Sequence, residues 1–207
     1  MALPRLPRQP KPIHQVLPGD IQERTPPGQF VTEKFPILTV GPTPEIDLAS
    51  WRLQVYGLVE RELDLSWQEF IGLPLITVTA DFHCVTQWSR LNNTWEGVAF
   101  ATLVNIVKPL TTACHVMVYC YGDYSVNIDL KSLMEDDVVL AYRHDGQDLD
   151  PDHGGPLRLV VPKRYGWKSA KWVHSLELIG EERMGFWEER GYHPRGDPWL
   201  EERYTMQ

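Results

Sequence analysis

A strand-rich α+β fold is what this sequence predicts. Short apolar stretches of strand character outnumber helical ones, and no regular strand–helix–strand rhythm runs along the chain. Hydrophobic residues make up 43% and charged residues 23% of 207, a globular balance with enough chain to bury a real core. The length suits one domain, or one with a short extension.

Taken in order, residues 1–30 are proline-rich with little apolar periodicity. They read as an extended N-terminal arm wrapping the domain, or as a partly disordered stretch, ahead of a domain over 31–207. Trp51–Leu58 alternates apolar and polar side chains as a half-buried strand does. Ser66 with Glu69 forms a capping-box pattern that opens a short helix ending near Gly72. Leu75–Phe82 predicts a strand that delivers its end to His83-Cys84, and Phe100–Val107 suits a helix. His115–Tyr121 reads as a buried strand, and Asp129 caps a helical turn through Leu133. Val138–Arg143 predicts a strand closed by a turn at Asp145-Gly146. Leu157–Val161 and Trp172–Ile179 complete the strands.

Composition excludes several classes of function. A net charge of −8 argues against a broad nucleic-acid surface. No run of 18 apolar residues offers a membrane span. The opening MALPRLPRQPKPIHQ has neither the apolar run of a secretory signal nor an Arg-Arg pair, so the cytoplasm is the expected compartment. Cys84, Cys114 and Cys120 are odd in number and widely spaced, which fits neither a disulfide framework nor a CxxC zinc site. Eight tryptophans suit a well-packed core or a planar ligand, and the count alone does not choose.

Two places carry chemistry. Cys84 sits where a β-branched strand ends, within DFHCVTQWSR. A thiolate there is a soft ligand for a transition metal, while a lone buried cysteine is often inert packing. His153, Arg158, Lys163, Arg164, Lys168 and Lys171 place six basic side chains within 19 residues of an acidic chain. Gly154, Gly155 and Gly166 loosen the backbone there. Such a stretch can turn N–H groups and cations onto a phosphate, or it can be a solvated basic loop. No GxGxxG after a strand, Walker-type loop, GxSxG elbow or HExxH is present. His83 and Cys84 make no thiol-protease pair, because neighbours on a strand face opposite ways.

DFHCVTQWSRLNNTWEGV, DHGGPLRLVVPKRYGWKSAKWV and GFWEERGYHPRGDPW together resemble the molybdopterin-binding domain of the sulfite oxidase family, above all its small stand-alone bacterial members. The resemblance spans roughly residues 30–204, in order and with family-like spacing. It implies a molybdenum–molybdopterin (Mo-MPT) cofactor, with Cys84 as the protein's ligand to the metal. Trp88 and Trp95-Glu96-Gly97 match the positions that follow that cysteine. For the pterin and its phosphate it implies His83, His153, Arg158, Ser169, Ala170 and Lys171, the last three within a K-S-x-K stretch. Tyr192, spaced from Trp187 as in the family, matches a tyrosine near the substrate channel and is the second implied catalytic residue beside Cys84. Cys120 falls near a position that can face the cofactor, although a small core residue is the more natural reading. Lys168 and Arg164 are candidate cations near the substrate mouth, with a surface role the equal alternative for each.

The expected activity is that of an oxidoreductase moving an oxygen atom to or from a small substrate such as a sulfoxide, another S- or N-oxide, or sulfite. Non-catalytic carriage or sensing of molybdopterin is the alternative. Sulfite oxidases carry an Arg-Asn-His stretch where this chain has Phe35-Pro36-Ile37-Leu38-Thr39. The missing arginine favours a neutral S- or N-oxide over anionic sulfite, and Phe35 to Thr39 remain candidates for backbone contacts to the cofactor. With neither a haem domain nor an immunoglobulin-like domain in this sequence, electrons are expected to come from a separate electron-transfer protein.

Overall fold

The computed structural model describes residues 19–206, so most of the proposed arm lies outside the described residues. The strands among them are β1 (Phe30–Val31), β2 (Arg52–Gly57), β3 (Leu63–Ser66), β4 (Leu75–His83), β5 (Trp88–Ala99), β6 (His115–Cys120), β7 (Ser125–Asp129), β8 (Val139–His144), β9 (Gln147–Asp148), β10 (Arg158–Val160) and β11 (Val173–Ile179). The α-helices are α1 (Gly19–Glu23), α2 (Trp67–Ile71), α3 (Phe100–Val107) and α4 (Leu130–Leu133). This is the strand-rich α+β architecture that the pattern predicts, here with mixed sheets and short helices.

Two sheets form. One runs β1-β5-β8-β10, with β4 also on β5 and β9 on β8; the other runs β3-β2-β11-β6-β7. The β1–β5 and β2–β11 pairs are parallel, and the rest are antiparallel. One hydrophobic cluster takes side chains from both sheets, including Leu53, Val98, Val118, Leu140 and Leu176. Trp51, Trp88, Trp95, Trp167, Trp172 and Trp187 are all buried.

Local chemistry sets many of these elements. In β2, Leu53 and Val55 are buried between exposed Arg52 and Gln54. Helix α2 starts with both halves of the capping box: Ser66 accepts from the Glu69 N–H, and the Glu69 carboxylate accepts from the Ser66 N–H at 2.8 Å. Asp129 caps α4 by accepting from the Ser132 N–H at 2.8 Å. Asp145 and Gly146 both take positive φ, 48° and 76°, and close the β8–β9 hairpin.

The longest strand, β5, is absent from the expected elements. Its sequence WSRLNNTWEGVA holds no clean alternation, because polar side chains on it are buried and paired. Asn93, fully buried, donates to the Ala80 and Arg90 carbonyls at 3.3 and 2.7 Å. A register shift between Glu96 and Gly97 further breaks the period against β8. Strands β3 and β7 are likewise unpredicted.

Candidate active site

Strand β4 ends by placing Cys84 at the head of a tight turn. The Gln87 N–H donates to the Cys84 carbonyl and the Cys84 N–H to that of Trp88, both at 2.9 Å, with Gln87 at φ 77°. The turn is braced from both ends of the chain. Gln29 donates to the Cys84 carbonyl at 3.1 Å, and the Arg203 guanidinium to that of Val85 at 2.7 Å. Cys84 is buried, and its Sγ accepts from the Thr86 hydroxyl at 3.1 Å. Burial pushes the thiol pKa up, against the pull of that hydroxyl and of the Arg158 and Arg203 charges.

The basic stretch folds back on itself. Leu159 in β10 donates to the Ala170 carbonyl at 2.9 Å, and the Val161 N–H to the Ser169 hydroxyl at 3.0 Å. Ser169–Lys171 therefore lies beside the strand that begins with Arg158. Gly154, at φ 116°, allows close approach: a Cβ there would sit 3.1 Å from Lys171 Cβ and 3.2 Å from Arg158 Cβ. Arg158 is 4% exposed. Its Nη1 donates to the His153 carbonyl at 2.9 Å, while its buried Nε has no partner among the described residues. Aromatic rings of Phe82 and Phe35 flank the guanidinium at 5.0 and 5.6 Å, and burial lowers its pKa to about 10. Lys171 Nζ donates to the Asp152 carbonyl at 2.5 Å, and burial, helped by the Arg158 charge, lowers its pKa to about 7.

These two regions meet in one cavity of about 270 Å³. Cys84, Arg158, Ser169, Ala170, Lys171 and Tyr192 all line it. Flat aromatic walls come from Phe82, Trp88, Tyr124, Trp167, Trp172 and Trp187, so the tryptophans serve both core and cavity. Another wall is the irregular segment 35–44, to which Phe35, Pro36, Leu38 and Thr39 contribute. Tyr192 is buried against Trp167 and Trp187, with ring centroids at 5.1 and 4.7 Å. Burial and neighbouring Tyr204 raise its phenol pKa, which keeps the hydroxyl protonated and able to donate.

Other expected residues sit elsewhere. His83 turns away from the cavity: its Nδ1 lies 2.8 Å from the Ser89 hydroxyl, and burial lowers its pKa to about 4. His153 stands behind the cavity wall, stacked on Phe35 at 4.9 Å with its Nε2 2.9 Å from the Phe35 carbonyl. Cys120 is a buried core residue off the cavity. The expectation for Lys168 and Arg164 at the mouth is overturned. Lys168 is 1% exposed and paired with Glu188 at 2.6 Å, and Arg164 donates to the Ser132 hydroxyl at 2.6 Å. Residues 40–44 and Tyr124 were not anticipated; Pro42 and Pro44 were the only signal that this stretch stays extended.

The residues present fit a metal carried by an anionic, flat organic group. A thiol offers one soft ligand. Two cations, buried Arg158 with its unpartnered N–H and half-buried Lys171, offer anion contacts, and the tryptophan walls suit a planar ring. No group of three or more His, Cys, Asp or Glu able to hold a metal occurs among the described residues, so further metal ligands would have to come from the organic group itself.

Comparison with known proteins gives the same chemistry. The family model of the oxidoreductase molybdopterin binding domain matches residues 40–187. The chain is 41% identical over 188 residues to the uncharacterized oxidoreductase YuiH of Bacillus subtilis, covering 90% of this chain and 95% of that protein. It is 31% identical to the sulfite oxidase of Arabidopsis thaliana over 73% of this chain and 48% of that one. Among solved structures, the sulfane dehydrogenase SoxCD of Paracoccus pantotrophus superposes with a TM-score of 0.62 at 21% identity, over 80% of this chain and 54% of that chain. The chain thus spans nearly all of the first relative and about half of the other two.

Proposed function

This chain belongs to the oxidoreductase molybdopterin-binding domain family, that of the sulfite oxidases, and we propose that it transfers an oxygen atom to or from a small sulfur- or nitrogen-containing substrate. Its cofactor is molybdenum–molybdopterin. The observation that carries the proposal is the convergence of Cys84, Arg158 and Lys171 on one cavity.

In this reading Cys84 holds the metal as a thiolate. Arg158, Lys171 and the Ser169-Ala170 backbone hold the phosphate end, where fixed cations offset the desolvation of a buried dianion. His153 acts from behind the wall by fixing Phe35, and His83 by fixing the strand beneath Cys84. When bound, the molybdenum centre supplies the two-electron redox change that accompanies oxygen-atom transfer. Tyr192 offers a protonated hydroxyl to a substrate oxygen, and the indole walls exclude water around it. The segment 35–39 brings no cation to the cavity, which favours reduction of a neutral sulfoxide or another S- or N-oxide over oxidation of sulfite. A separate one-electron carrier resets the enzyme. No helix of the described residues is long and apolar enough to cross a membrane. Free thiols, including exposed Cys114, suit a reducing compartment, and we place the protein in the cytoplasm.

Metal and pterin analysis, followed by assays of sulfoxide reduction and sulfite oxidation with artificial electron carriers, tests the reading. We expect stoichiometric molybdenum, sulfoxide reduction as the faster reaction, and a Cys84→Ser variant that keeps pterin while losing at least about a hundredfold in rate, the upper end of what loss of a ligand's supporting partner alone costs. Loaded wild type inactive on both substrate classes would point instead to a carrier or sensor. Sulfite oxidation as the faster reaction would reverse the proposed direction.

A further inference from the structure

Segment 35–44 forms a whole wall of the cavity, yet residues 34–46 make no backbone–backbone hydrogen bond among the described residues. Pro36, Pro42 and Pro44 lack the donor altogether. Both flanks are fixed. Before it, Thr32 donates to the Ser89 carbonyl at 2.9 Å; after it, Trp51 donates to that of Asp47 at 3.0 Å and is 1% exposed. The first flank is also held by Arg90, whose Nε donates to the Glu33 carbonyl at 3.2 Å. Over residues 35–46, polar fastening to the rest of the fold rests on two side-chain contacts among the described residues. His153 meets Phe35 through ring and carbonyl, and the Thr43 hydroxyl donates to the Asp152 carboxylate at 2.5 Å.

Both fastenings lie on one short turn, Pro151–His153. The inner side of the same turn holds the cations of the cavity: Lys171 donates to the Asp152 carbonyl and Arg158 to the His153 carbonyl. The turn's side chains thus grip the wall while its carbonyls grip the cations. Ile37 and Val40, 52% and 43% exposed, lie on the span between the two fastenings.

We propose that residues 35–44 are a strap closed over the cofactor, and that Thr43 and Asp152 are the positioning residues that lock it and set how long the cofactor stays bound. The proposal rests on the molybdopterin reading of the cavity. Neither side chain needs to touch the reacting atoms. Thr43 is half-buried, and its loss removes one hydrogen bond to a carboxylate, a contact that in general corresponds to roughly tenfold or more in an opening equilibrium.

The test compares loaded wild type with Thr43→Val, Asp152→Ala and Asp152→Asn, the last keeping an oxygen acceptor. Loss of molybdenum and pterin is followed by metal analysis and pterin extraction after repeated desalting. Cleavage within residues 37–40 by thermolysin, which cuts before apolar side chains such as Leu38 and Val40, is followed in the cofactor-free proteins. We expect cofactor loss about tenfold faster in Thr43→Val and Asp152→Ala, near-wild-type loss in Asp152→Asn, and faster cleavage in the first two. Wild-type loss rates and unchanged cleavage in Thr43→Val and Asp152→Ala would overturn the strap. Wild type without pterin would instead sink the cofactor reading, and the cleavage measurement would still decide whether the fastening exists.

Discussion

Lys171 is the side chain whose charge the cavity controls most closely. Burial and Arg158 hold its pKa near about 7 in the folded chain, against an ordinary value of 10.5. Between those values the unfolded chain binds a proton that the folded chain has released. Unfolding free energy of the cofactor-free protein should therefore rise with pH from about 7 to about 10, by up to about 1.4 kcal/mol per unit. Lys171→Met should flatten that slope in urea titrations run at several pH values, and phosphate-bearing cofactor should flatten it in wild type by restoring the charge. Arg158 and Lys171 stand out in the sequence because cations are scarce near glycine pairs in an acidic chain. Lys168 carries the same signal and lies elsewhere, since nothing local reveals its partner Glu188, twenty residues on. Tyr124 gives no signal at all; its hydroxyl donates to the Trp167 carbonyl at 2.6 Å, a contact made by folding alone.

Elements with a local cause were legible: the α2 capping box, the Asp145-Gly146 turn, the alternation in β2 and the helix α3. Strand β5 was not, since its pattern answers to partners distant in sequence. It pairs with β4 along most of its length, with β1 near its start and with β8 near its end. Gly97 marks the tightest point of that arrangement. A Cβ there would lie 2.1 Å from the Leu140 carbonyl oxygen, which is backbone and cannot swing aside. Gly97→Ala should destabilise the protein by about 3 kcal/mol or more, read as a lowered urea midpoint at unchanged m-value. A neutral result would mean that β5 and β8 can separate at the bulge without cost.

Across the whole molecule, the two sheets share one core, and a charged pair sits inside it. Lys168 and Glu188 are both 1% exposed by side chain, with Nζ 2.6 Å from Oε1. Glu188 also accepts from the Trp167 indole at 3.2 Å, and Lys168 donates to the Asn127 carbonyl at 2.6 Å. Lys168→Met should cost about 3–5 kcal/mol by stranding a buried carboxylate. Adding Glu188→Gln, which keeps an acceptor for the indole, should recover most of it in thermal or urea unfolding. No recovery would place the stabilisation in packing and not in charge. The distribution of indoles has a separate consequence. Trp88, Trp167, Trp172 and Trp187 surround the space a pterin would fill, while Trp199 stands exposed. The protein carries its own optical gauge: near-ultraviolet emission from the four inner rings should dim as an absorbing ligand enters, leaving the glow of the four indoles off the cavity, exposed Trp199 among them, as an internal reference.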